Sequence, residues 1–132
     1  MKIIADTNIL MRAMLDDDAG QSRASRRTLS SADQVVIGRH VFCEMVWLLR
    51  QRYKLRNAEI VEAIHGYLEA DNVITDTAAV QAGLEAMNAG ADFADGVIAH
   101  EGRWLGGDTF VSFDKKAVSA IARQGHQVKL LA

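Results

Sequence analysis

Two spacings of apolar residues take turns along this chain. The opening run Lys2-Ile3-Ile4-Ala5 is short, apolar and stops at Asp6, which predicts a buried strand over residues 2–5. A helix start follows at once. Thr7 or Asn8 can cap a short helix through about Leu15, since either side chain accepts from free backbone N–H groups. Asp16-Asp17-Asp18-Ala19-Gly20 reads as a loop, and a polar helix with Arg23, Arg26 and Arg27 runs on to about Ser31. Gln34-Val35-Val36-Ile37-Gly38 reads as a second strand. From His40 to Tyr53 the pattern is helical and apolar on most sides, through Val41, Phe42, Met45, Val46, Trp47, Leu48 and Leu49, which predicts a buried helix. Asn57 can cap the next helix, whose Ile60, Val61, Ile64 and Leu68 recur at helical spacing. Asn72-Val73-Ile74 reads as a third short strand. Asp76 or Thr77 opens a helix with Val80, Leu84 and Met87 that closes near Gly90, and Asp92 to about Glu101 forms another. After a turn at Gly106-Gly107 come a strand, Thr109-Phe110-Val111-Ser112-Phe113, and a helix from Lys115 to Arg123. Gly125 ends that helix and Gln127-Val128-Lys129-Leu130 is a last strand.

Strands alternating with helices imply an α/β fold with a parallel sheet covered on both faces. In such sheets ligands collect outside the carboxyl ends of the strands. Asp6 stands at one such end and Asp114 directly follows another.

The length of 132 residues suits one domain over residues 1–132 and is too short for two comfortable ones. Hydrophobic residues make up 49% of the chain, which excludes a disordered reading. A formal charge of -2 provides no global field, so a polyanion must be met by a local patch. Cys43 is the single cysteine and cannot form an internal disulfide, in keeping with a reducing cytosol. Asp6 interrupts any N-terminal signal segment, and no apolar run approaches the ~20 residues needed to cross a bilayer. The expectation is a cytoplasmic domain without a membrane partner.

Four acids stand out against apolar surroundings: Asp6, Glu44, Asp95 and Asp114. Asp6 either caps the helix after it or binds a cation. With Thr7 and Asn8 beside it as caps, the charge is redundant for capping and points to chemistry. Glu44 lies within Val41-Phe42-Cys43-Glu44-Met45-Val46-Trp47-Leu48-Leu49, with no Lys or Arg within a turn. His40 is its one local partner. Without a partner, burial would neutralise Glu44, whereas a bound cation would keep it ionised. Asp92 and Asp95 are three apart and share a helix face. Asp92 has the place of a first-turn acid favoured by the helix dipole, and Asp95, among Ala94, Val97 and Ile98, is the better ligand. Asp114 alone reads as the cap of the Lys115 helix, with Ser112 a second polar group at the same strand end. Carboxylate oxygens suit Mg²⁺ or Mn²⁺, and one cysteine with four scattered histidines gives no zinc spacing. Acid clusters that hold two such ions ~3.5–4 Å apart can stabilise the attacking and leaving oxygens of phosphodiester cleavage.

Together these pieces resemble the PIN-domain nucleases, and more narrowly the VapC toxins of VapBC toxin–antitoxin modules. The matching stretches are Ile4-Ala5-Asp6-Thr7-Asn8-Ile9-Leu10, Val41 to Leu49, Ala91-Asp92-Phe93-Ala94-Asp95-Gly96-Val97-Ile98-Ala99 and Val111-Ser112-Phe113-Asp114, in the family's order. The resemblance implies a metal-dependent endoribonuclease with a three-layer α/β/α sandwich around a central, mainly parallel sheet. It makes Asp6, Glu44, Asp95 and Asp114 the catalytic, metal-binding acids, Asp92 an accessory acid, and Thr7, Asn8 and Ser112 polar support. It also implies Mg²⁺ or Mn²⁺, an RNA substrate, a homodimer, and an antitoxin whose peptide tail fills an apolar groove.

An acidic site needs cations to approach RNA, and Arg23, Arg26, Arg27 and Arg39 are the candidates for phosphate contact. Taken singly, each reads as part of a solvated, salt-bridged surface. Trp104, beside Arg103, can stack a base, though core packing is the expected fate of both tryptophans. Two rival readings remain. A Mg²⁺-dependent phosphatase with an aspartyl-phosphate would want a second acid where Asn8 stands. A non-catalytic RNA- or protein-binding module would not need all four acids.

Overall fold

The computed structural model describes residues 1–132, which divide into two compact units, Met1–Asp76 and Thr77–Ala132. In the first, β1 (Lys2–Ile4), β2 (Gln34–Val36) and β3 (Val73–Ile74) form a parallel sheet in the order β1-β2-β3, with Ile3 opposite Val35 and Val36 opposite Ile74. Helices α1 (Thr7–Met14), α2 (Ala19–Ser31), α3 (Arg39–Gln51) and α4 (Asn57–Glu69) belong to this unit. Its core is built from Leu10, Val35, Ile37, Phe42, Met45, Leu49, Ile60 and Ile64, all buried. The Phe42 and Tyr67 rings meet edge to face at 6.5 Å. The Tyr67 hydroxyl donates to the Leu10 carbonyl at 2.6 Å, which ties α4 to α1. Burial pushes the Tyr67 phenol up to about 12.

In the second unit β4 (Thr109–Ser112) and β5 (Gln127–Leu130) pair in parallel, Phe110 opposite Val128, beside α5 (Thr77–Asn88), α6 (Phe93–Trp104) and α7 (Lys115–Arg123). Phe110 and Val128 pack on a cluster of Ala86, Ala91, Ala99, Ala120 and Ile121. Gly90 and Gly125, at positive φ of 97° and 88°, end α5 and α7 in the left-handed conformation that glycine adopts without strain. No helix is long and apolar enough to cross a membrane.

Four expectations change. The strands are parallel throughout but are divided between two sheets, because alternation with helices dictates parallel pairing and not how many strands share one ladder. The strand before Asp6 is not buried, since Ile3 is half-buried and Ile4 is 87% exposed. Helix α3 is not apolar all round. It buries Val41, Phe42, Met45, Val46 and Leu49 while His40, Glu44, Trp47 and Gln51 run as an exposed stripe at helical spacing. Neither tryptophan is in the core: Trp47 is 61% exposed and Trp104 is 81% exposed.

Helices α5 and α6 are held by close contact at Gly83 and Gly96. A methyl at Gly96 would collide with the Ala82 carbonyl and stand 2.8 Å from Ala86 Cβ. Backbone cannot yield as a side chain can, so Gly96→Ala is expected to lower stability by about 1–3 kcal/mol. Urea denaturation followed by circular dichroism measures this; an unchanged midpoint would mean the helices do not interlock there.

Candidate active site

Asp6 follows β1, and its Oδ1 accepts the Ile9 backbone N–H at 3.1 Å, so Asp6 is itself the cap of α1. The expectation that Thr7 or Asn8 would cap is therefore corrected. The Thr7 hydroxyl is used elsewhere: buried between α1 and α3, it donates to Glu44 Oε1. Glu44 is exposed, contrary to its apolar sequence neighbours, because those neighbours point inward from the other side of α3. No ion pair joins it to His40; the Thr7 hydroxyl is its partner.

In the second unit, Asp95 stands in the first turn of α6, half-buried, and its Oδ2 accepts the Asp92 backbone N–H at 3.2 Å. Asp114 caps α7, and its Oδ1 accepts the N–H groups of Lys116 at 2.9 Å and Ala117 at 3.3 Å. The Ser112 hydroxyl accepts the Asp114 N–H at 3.0 Å, which pins the chain between β4 and α7. Burial raises the Asp95 carboxyl above the usual aspartate range. The Asp92 N–H opposes this, and the negative charges of Asp92 and Asp114 add to it. The structure thus gathers Asp92, Asp95 and Asp114 into one electrostatic group, and Thr7 with Glu44 into one hydrogen-bonded pair.

One pattern unites the four acids. Asp6, Glu44, Asp95 and Asp114 each accept protein hydrogen bonds through a single oxygen, leaving the other without a protein partner. None of them forms an ion pair with lysine or arginine. The donor chemistry, carboxylate oxygen alone, fits a hard divalent cation. No group of three or more His, Cys, Asp or Glu side chains is close enough together to hold a metal.

The PIN domain family profile matches residues 3–123. The chain belongs to the PIN domain family. No match was found among curated proteins. PIN domains are generally nucleases, often metal-dependent, and generally use divalent ions. The expected α/β/α class is that of the family; here helices make up 61% of the chain and every strand pairing is parallel.

Of the arginines proposed to meet phosphate, two are committed within this PIN domain. Arg26 pairs with Asp16 at 2.8 Å and also donates to the Ala13 carbonyl, and Arg39 pairs with Asp76 at 2.7 Å. Arg23 and Arg27 are exposed on α2 and have no carboxylate partner. The structure also adds residues that sequence reasoning missed. Asp6 and Asn8 share a cleft of 290 Å³ with Ile9, Arg12, Gln21, Ala24, Ser25 and Thr28. Positions 21, 24, 25 and 28 keep helical spacing, but small polar residues in that pattern read as an ordinary solvated face.

Two expectations follow. Asp114→Ala removes the acceptor of two N–H groups and is expected to cost about 1 kcal/mol in urea unfolding, whereas Asp114→Asn, still a good cap, costs a fraction of that. Equal losses would show that the cap is not what holds the start of α7. For Asp95, the folded-state carboxyl is raised, so its ionised form disfavours the fold. That penalty is absent at acid pH, where the group is protonated folded and unfolded, and grows as pH rises from the ordinary aspartate value through the raised one. Asp95→Asn is therefore expected to gain stability over the natural chain across that window and keep the gain at neutral pH. Parallel melting curves from pH 3 to 7 decide it.

Proposed function

We propose that this PIN domain is a divalent-metal-dependent endoribonuclease, the toxin of a toxin–antitoxin pair. The observation that carries the reading is the half-tied state of Asp6, Glu44, Asp95 and Asp114. Each is fixed by one oxygen and presents the other unpartnered. These are the carboxylates proposed to hold Mg²⁺ or Mn²⁺. What such an ion supplies when bound is a water of lowered pKa and charge to stabilise the leaving oxygen. The chain's own residues do the positioning. Thr7 orients Glu44, the α1 and α7 N–H groups orient Asp6 and Asp114, and Ser112 holds the backbone before Asp114. Asp92, through its backbone N–H, orients Asp95, and its charge favours a cation beside that group.

The inhibitor reading draws support from the first unit. A cleft of 940 Å³ runs between α1, α2 and α4, floored by Ala13, Met14, Leu29, Ala63, Tyr67 and Val73. Glu59, Glu62 and Asp71 stand among its lining residues. An antitoxin segment with one apolar face and flanking basic residues matches that combination. Exposed Trp47 on α3 suits contact with a second copy in a homodimer.

Purified protein incubated with single-stranded and structured RNAs is expected to cleave them with Mg²⁺ or Mn²⁺. EDTA should stop cleavage, and Asp6→Ala or Asp95→Asn should slow it by at least about 10²-fold. Cleavage that persists in the chelator and in both variants defeats the proposal.

A further inference from the structure

The cleft beside Asp6 brings together polar side chains from two helices. Asn8 comes from α1 and Gln21, Ser25 and Thr28 from α2, and none of these side chains makes a hydrogen bond within the protein. Ser25, only 5% exposed as a residue, stands in the wall of the cleft, and its hydroxyl has no protein partner. The neighbouring cation, Arg12, is already matched by Asp17 at 2.8 Å, so beside the Asp6 carboxylate the cleft offers neutral donors and acceptors. Its 290 Å³ falls just below the range of ligand pockets, which run from about 300 to 1,000 Å³. Arg23 and Arg27 stand exposed on the same helix without carboxylate partners.

We propose that this cleft binds the base of a single ribonucleotide next to the phosphate under attack. Gln21 and Asn8 would read the base edge through their amides, with Ser25 and Thr28 completing its hydrogen bonds. Arg23 and Arg27 would meet flanking phosphates. Amides pair in two directions with base edges, and single-stranded RNA presents those edges unpaired. Because Asp6 is part of the wall, a base seated here brings its own phosphate to the acid. This assignment rests on the nuclease reading for its role in cleavage, though the binding can be tested without cleavage.

The test uses the isotopically labelled full chain in EDTA, titrated with the four ribonucleoside 5′-monophosphates and followed by NMR. The Gln21 side-chain amide and the Ser25 and Thr28 backbone signals are expected to move with at least one nucleotide. Gln21→Leu and Thr28→Val, both at exposed positions, are each expected to weaken that binding by about tenfold or more. They are also expected to flatten the preference for one base beside the cut in sequenced cleavage products. If no nucleotide moves these signals, or both variants bind as the natural chain does, the cleft assignment is overturned. Nucleotide binding here by a chain that cleaves no RNA would refute the nuclease reading and leave the cleft standing. Cleavage without these shifts would do the reverse.

Discussion

The start of a helix has backbone N–H groups that nothing within the helix can satisfy, and in each unit this demand fixes one of the candidate acids. At the ends of β1 and β4 the chain turns directly into a helix, and at both turns an aspartate meets the demand. Asp6 and Asp114 are thereby fixed in place by the fold, each with one oxygen. Capping and chemistry compete in a sequence reading. In the structure they are compatible, because a carboxylate has two oxygens and the cap uses one.

The second unit adds an electrostatic constraint. Asp95 is half-buried close to the charges of Asp92 and Asp114, and no arginine or lysine pairs with it. Such a grouping disfavours the ionised fold unless a cation offsets it. The helix that carries Asp95 has little room to move. Gly96, the next residue, lies against the Ala82 backbone.

Much of this was legible in the residues. The alternation of strands and helices, the end of α5 near Gly90 and the stop at Gly125 follow from local chemistry, and so does the placing of Asp6 and Asp114 at strand ends. For Glu44 the apolar sequence neighbourhood misleads. The acid is conspicuous among apolar neighbours, yet helical geometry turns it outward, and what holds it is the Thr7 hydroxyl from another helix. Partners distant in sequence leave no local trace. The same holds for Gln21, Ser25 and Thr28, which gain meaning only when α1 is laid beside α2. Arg26 and Arg39 meet the expectation of a salt-bridged surface, but their partners, Asp16 and Asp76, become known only from the fold.

The exposure of both indole rings has a spectroscopic consequence. With Trp47 on α3 and Trp104 at the end of α6 already facing water, neither fluorophore reports on the interior. Loss of the fold would shift the emission little, since the rings leave one aqueous setting for another. A blue shift or quenching in this protein would therefore signal something arriving at its surface.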